Sequence, residues 1–257
     1  MNPRRILAVT LKEAREYRRS PFIVGTMGVL PVIFLVEPLI NIFRVGASVP
    51  ADTVQKAAGS TFLLLLVVPA VVPATLAAYS VIGERDQGTL EPLLTTPIRR
   101  EELLLGKALA AIVPTVGIAY TLYGIVVLCA ELFATNHAVV GTLTQGSLIL
   151  AELLFAPLLA AWSIWVGTAI SVRAGDVRVA QQLGVLASLP PLGVTALVTF
   201  QVITPSVGVA VRFALILAVL DVALWRLVSS MFDRERLVTG ARASTPAGAP
   251  GGGSPPG

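Results

Sequence analysis

The sequence predicts an all-α integral membrane protein, with six transmembrane helices preceded by an amphipathic interfacial helix and both termini cytoplasmic. Three observations carry this. Of 257 residues, 55% are hydrophobic and 13% charged, with mean hydropathy +0.81; a soluble domain carries about twice that charged share. Apolar segments long enough to cross a hydrocarbon layer of ~30 Å at ~1.5 Å per residue recur six times. Lys and Arg fall between these segments with a strong side bias.

The chain divides into an interfacial helix over 1–20, a six-helix transmembrane domain over 21–230 that holds a cytoplasmic loop at 83–107, and a cytoplasmic tail over 231–257. In the first part, Leu7, Leu11, Ala14 and Tyr17 recur at helical spacing, with Arg5, Lys12, Arg15 and Arg19 towards the opposite arc. Such a helix lies in the headgroup plane; Arg18 falls on the apolar arc and can snorkel from the helix end. The plainer alternative is a basic flank that only sets topology. No cleaved signal peptide is expected, because the first apolar run is too long and contains Glu37-Pro38.

The six spans are placed at 22–43, 60–82, 109–133, 146–172, 183–203 and 207–229. Pro190-Pro191 must bend or interrupt the fifth, and the three-residue link to the sixth implies a tight hairpin or a partly re-entrant pair. With this division one side holds sixteen Lys and Arg and the other three, Arg44, Lys56 and Arg212. The rich side, which includes both termini, is therefore cytoplasmic. The net charge of +4 is thereby read as a topology signal, not as a nucleic-acid surface. The tail beyond about residue 242 is Gly-, Pro- and Ser-rich and is expected to be disordered.

Within the cytoplasmic loop, GTLEPLLTTPIRREELLLGK carries helix-like patterning between two apolar segments. Thr89 is suited to cap a first short helix and Thr96 a second, with Pro97 in its first turn. Leu90, Leu93 and Leu94 then share one face, an apolar ridge flanked by charge that suits a partner protein.

This loop resembles that of the membrane subunits of type-2 ATP-binding cassette (ABC) exporters, which follows G-E-R-x-x-G-T-L-E-x-L-L-x-T-P-x-S-R-x-E-x-x-x-G-K. The chain matches at Gly83, Glu84, Arg85, Gly88, Thr89, Leu90, Glu91, Leu93, Leu94, Thr96, Pro97, Arg100, Glu102, Gly106 and Lys107. It departs at Arg99, where the family usually has a Ser able to cap the following helix. SVRAGDVRVAQQLG at 171–184 and LVSSMFDRERLVT at 227–239 are similar to two further family segments, so the resemblance covers about 3–240.

The resemblance implies a permease that couples ATP hydrolysis by a separate subunit to translocation across the cell membrane. The loop would be a coupling helix seated on cytoplasmic ATPase subunits, two of them, with Glu84, Arg85, Thr89, Leu90, Glu91, Leu93, Leu94 and Arg100 as the coupling residues. A second membrane subunit, identical or homologous, would complete the pathway. The chain itself is expected to bind no cofactor, with ATP and Mg on the partner. Its only Gly-Lys pair, Gly106-Lys107, has Glu101 and Ala108 where a phosphate-binding loop needs Gly and a hydroxyl.

Glu37, Glu131, Glu152 and Asp221 fall in or near spans, at a cost of about 2.5 to 3.5 kcal/mol each for an acid at mid-span. Glu37 and Asp221 lie deepest and are candidates for a subunit interface or a water-filled path; Asp221 alternatively pairs with Arg226. The other function class these acids suggest is a proton-coupled secondary transporter. Prolines at 31, 38, 69, 73, 114 and 157 mark either flexible points or kinks that simply pack. His137 has no sequence-local ligands, so no metal site is expected, and Cys129 reads as a small buried hydrophobe. No HExxH or GxSxG motif points to an intramembrane enzyme.

Overall fold

The computed structural model describes residues 1–46, 49–86, 99–200, 202–203 and 206–231, with backbone alone at 80–81 and 83–86. All regular structure among these residues is helical: α1 (Pro3–Arg19), α2 (Pro21–Arg44), α3 (Ala51–Asp86), α4 (Arg100–Phe133), α5 (His137–Leu143), α6 (Gly146–Arg173), α7 (Val177–Ala187), α8 (Leu189–Thr199) and α9 (Val207–Met231). Six of the segments are long and apolar enough to cross a membrane, with α7 and α8 together making the fifth.

Helix α3 is the axis of the bundle. It packs against α2, α4, α5, α6, α7 and α8, and buries Leu65, Leu66, Val68, Val72 and Leu76. Its tightest partner is α6, where Ala74 and Ala77 meet Gly167. A Cβ at Gly167 would lie 2.9 Å from Ala77 Cβ and 3.0 Å from Ala74 Cα, so only a bare backbone allows this approach. Lipid tails are as apolar as Leu, so helices in a membrane gain little from burying oil; close packing at small residues supplies the contact instead. Ser163 adds a hydroxyl bond to Ala70 O at 2.6 Å across the same pair. Helices α2 and α9 are peripheral and leave apolar side chains such as Val29, Ile33, Leu215 and Val219 exposed on the outside of the bundle.

The fifth span is interrupted as its prolines require, and it begins earlier than the predicted 183. Asp176 caps α7, its Oδ1 accepting from Arg178 N at 2.7 Å and Val179 N at 3.2 Å. The helix ends at Ser188, and Pro190 and Pro191 stand in the first turn of α8. Pro191 has no N–H for the carbonyl four residues back. That carbonyl, Ala187 O, accepts the indole N–H of Trp162 at 3.0 Å instead. The six in-span prolines, by contrast, lie inside continuous helices.

Two helices extend beyond the predicted spans. Helix α3 begins at Ala51, not 60, and α4 at Arg100, not 109. Arg99 is extended (φ −67°, ψ 140°), so the helix expected to be capped by Thr96 and opened by Pro97 does not run through it. At the far end of the bundle from α1, Thr135 Oγ1 donates to Val45 O (3.3 Å) and Asn136 Nδ2 to Gly46 O (3.1 Å), tying two connections together. Cys129, expected to be buried, is only partly so. The predicted disordered tail lies outside the described residues.

Candidate functional site

The end of the bundle that carries α1 also carries the start of α4, the helix that follows the loop after α3. Asn2 caps α1 by accepting from Arg4 N at 3.0 Å, and the helix then lies across the first two turns of α4. Three residues of α4 make the junction. Glu102 is buried; its Oε1 accepts from Asn2 N at 2.7 Å, its Oε2 from Arg99 N at 3.3 Å, and Arg5 lies 3.8 Å from Oε2. The carboxylate thus reaches back to the amide of Arg99, the residue before its own helix. Glu102 precedes the apolar stretch of α4, and the Asn2 amide first, then the Arg99 amide and Arg5, hold it below the usual carboxylate range against the opposing effect of burial.

One turn on, Gly106 lets α1 approach. A Cβ here would fall 2.6 Å from Val9 Cβ and Cγ1 and 3.1 Å from Ile6 O. Thr10 Oγ1 uses the closeness to bond Gly106 O at 3.1 Å. Lys107 then reaches Glu13, Nζ to Oε1 3.2 Å, while Lys12 lies 3.4 Å from the same oxygen. Below this pair Tyr17 is buried beside Leu104, Ala108 and Trp165.

The arc of α1 that packs on the bundle is therefore Val9, Glu13 and Tyr17, of which Tyr17 belongs to the apolar arc read from the sequence. Leu7 and Leu11 stand exposed on the opposite side. Arg5, assigned to the polar arc, turns to Glu102.

Of the predicted coupling residues, Arg100 opens α4 and is exposed. Glu84 and Arg85 fall in the last turn of α3, where the backbone alone is described. Thr89, Leu90, Glu91, Leu93 and Leu94 lie outside the described residues. Glu102, Gly106 and Lys107 matched the loop pattern but had no role assigned from sequence, and Glu13 was not singled out at all. An acid on an otherwise basic helix, four residues from both Val9 and Tyr17, is the signal that would have found it.

The intramembrane acids separate. Glu37 is on the outer surface of α2, accepting from Asn41 Nδ2 at 2.6 Å, and Asn41 also reaches Ser60 Oγ at 3.4 Å. Glu131 is exposed. Asp221 is turned into the bundle on α9, and neither carboxylate oxygen has a hydrogen-bond partner among the described residues. It does not pair with Arg226, which is exposed: five residues turn the helix by about 140°. Glu152 on α6 is also buried and, among the described residues, unpartnered, with the nearby phenols of Tyr120 and Tyr123 donating to Leu153 O and Leu143 O instead. Among the described residues no His, Cys, Asp or Glu cluster is arranged to hold a metal.

A family model described as ABC-2 family transporter protein matches residues 7–237, spanning α1, all six spans and the loop between α3 and α4. The chain belongs to this ABC-2 family. As an ABC-2 chain it is a multi-pass integral membrane protein and a permease component of an ABC transporter, the membrane part and not the ATPase. No curated protein matches it.

Proposed function

We propose that this ABC-2 chain is the membrane half of an ATP-driven exporter, working as a pair of membrane subunits with two separate cytoplasmic ATPases that carry the ATP and Mg. The observation that supports this reading best is the junction of α1 with the first turns of α4. Glu102, Gly106 and Lys107 close the loop pattern shared with type-2 exporters, and all three contact α1. A displacement of the loop is then passed to α4 and α1 together, as one body, and not lost in a hinge at the loop's exit.

In this reading the α1 end is cytoplasmic, Leu90, Leu93 and Leu94 form the apolar knob received by the ATPase, and Glu84, Arg85, Thr89, Glu91 and Arg100 brace or flank it. Closure of the ATPases on ATP moves the loop, and the paired spans open towards the opposite face. Exposed Glu37, on a helix with an open apolar side, is suited to an interface with the second subunit. ABC membership supports ATP as the energy source over a proton gradient acting through Glu37 or Asp221.

The test replaces Leu90, Leu93 and Leu94 together by Asp. The variant is expected to insert in the membrane at normal abundance and to lose its co-purifying ATPase. An ATPase still bound at the native ratio would overturn the assigned interface.

A further inference from the structure

At the end of the bundle opposite α1, the first turns of α3, α6 and α9 and the last turn of α8 enclose a cavity of about 270 Å³. Its chemistry is divided. The deeper wall is apolar, built on Phe62, Phe155 and Phe213, the last two in edge-to-face contact with centroids 5.3 Å apart. The rest of the lining includes Gln55, Gln145 and Ser206, which are polar but neutral. Gln55 and Gln145 are exposed at the rim, and each amide carries two donors and an acceptor that can turn to a guest. Ser206 Oγ already accepts from Val209 N at 3.2 Å and keeps its own proton to donate.

Among the described residues no ionisable side chain lines the cavity. The two nearest cations along these helices are engaged elsewhere: Lys56 lies 3.5 Å from Asp52 on its own helix, and Arg212 Nε donates to Gly208 O at 3.1 Å. A charged guest would leave water with nothing to pair with, whereas a hydroxyl or amide would exchange water for the Gln and Ser groups at small cost. At the roughly 30 Å³ that a water occupies in the liquid, the space holds about nine groups of that size.

We propose that this cavity binds one uncharged amphiphile, a hydroxyl or amide head on an apolar body of about eight to ten carbons, drawn from the adjoining membrane leaflet. The site is at the other end of the molecule from the α1–α4 junction. Its test and that of the coupling interface therefore fail independently.

The experiment uses the full chain in lipid nanodiscs and an octanol bearing a photoactivatable diazirine, with the site read by peptide mass spectrometry. Labels are expected on 55–62, 142–155 and 206–213, displaced by excess plain octanol. Ala210 also lines the cavity, so Ala210→Phe should fill it and cut labelling there about tenfold. The octanoate analogue of the probe should label about tenfold less than the alcohol. If Ala210→Phe fails to fold, Gln145→Leu serves, lowering alcohol labelling while leaving the octanoate level unchanged. Labelling spread over the outer faces of α2 and α9 and unaffected by either variant, or equal labelling by the carboxylate, overturns the site.

Discussion

Lys107 Nζ lies 3.2 Å from Glu13 Oε1, an ion pair that joins α4 to the middle of α1 with Glu13 only 2% exposed and Lys107 11%. Breaking such a pair from one side strands a charge in a poor solvent, which costs about 3 to 5 kcal/mol when burial is complete. Lys107→Met and Glu13→Gln are each expected to cost about 1 to 3 kcal/mol, below that range, because Lys107 keeps some water and Glu13 keeps Lys12 at 3.4 Å from the same oxygen. The double variant Glu13→Gln, Lys107→Met should cost clearly less than the sum. Thermal unfolding of the four proteins in one detergent gives the coupling; strictly additive losses would mean the two side chains do not support each other.

Gly106→Ala tests the same junction sterically. The new methyl would meet Val9 Cβ and Cγ1 at 2.6 Å, and Val9 is fixed between the helices, so α1 must shift outward. Overpacking of this kind costs about 1 to 3 kcal/mol. A disulfide between Thr10→Cys and Gly106→Cys is not suitable as a probe, since the latter is itself the tested site. Limited proteolysis within 1–20 is the direct measurement, with faster cleavage in Gly106→Ala expected. Unchanged protection would show that α1 is not held by this approach.

The junction also carries a pH signature through Glu102. Its carboxylate is held below the usual range, chiefly by the Asn2 amide, so its contribution is present in full above the ordinary carboxylate pKa and lost as pH falls through the lowered folded value. Protection of α1 from protease is therefore expected to be flat through neutral pH and to fall only in distinctly acidic buffer. Glu102→Gln should start weaker at neutral pH and lose less on acidification. An acid transition of the same size in both proteins would assign it to other groups.

The spans were legible because hydropathy reports the part of a helix that sits in lipid, and it located all six. It reports nothing about where the hydrogen-bonded helix ends, so the polar first turns of α3 at 51–59 were missed, and those of α4 at 100–108 read as a separate short helix of the loop although they continue into the span. The break at Ser188 was legible from Pro190-Pro191, since a missing N–H is a local fact; its relief by Trp162, from another helix, was not. Which face of α1 packs on α4 was not legible for a related reason. It contains Glu13, whose burial depends on Lys107 from ninety-four residues away, whereas Leu7 and Leu11 form a clean apolar stripe that the bundle leaves uncovered. The loop pattern pointed to the right family and to the right end of α4, but which of its residues hold α1 required the contacts themselves.

Two glycines in spans separate packing from flexibility. At Gly167 an added Cβ meets Ala77 Cβ at 2.9 Å and Ala74 backbone at 3.0 Å, whereas at Gly124 nothing lies within 4 Å. Gly167→Ala is expected to destabilise by about 1 to 3 kcal/mol, because backbone cannot step aside. Gly124→Ala should be neutral or gain up to ~1 kcal/mol from helix propensity. Unfolding midpoints measured side by side decide it, and equal behaviour of the two would argue against α3–α6 contact as the tight seam of the bundle.

Asp221 offers the sharpest contrast between stability and function. It stands on the buried side of α9 with both oxygens unpartnered among the described residues, as are the buried Trp225 Nε1 and Ser229 Oγ one and two turns on. A fold that needed this acid for packing would have paired it, since an unsatisfied buried polar group costs about 1 to 3 kcal/mol. Asp221→Leu is accordingly expected to raise the unfolding temperature of the isolated chain. If Asp221 belongs to a path that opens during transport, the same variant should slow ATP turnover in the assembled complex while leaving the ATPase bound, and Asp221→Asn should fall between. A lower unfolding temperature for Asp221→Leu would show that the acid is structural after all, because removing an unpartnered carboxylate cannot weaken a fold that gains nothing from it.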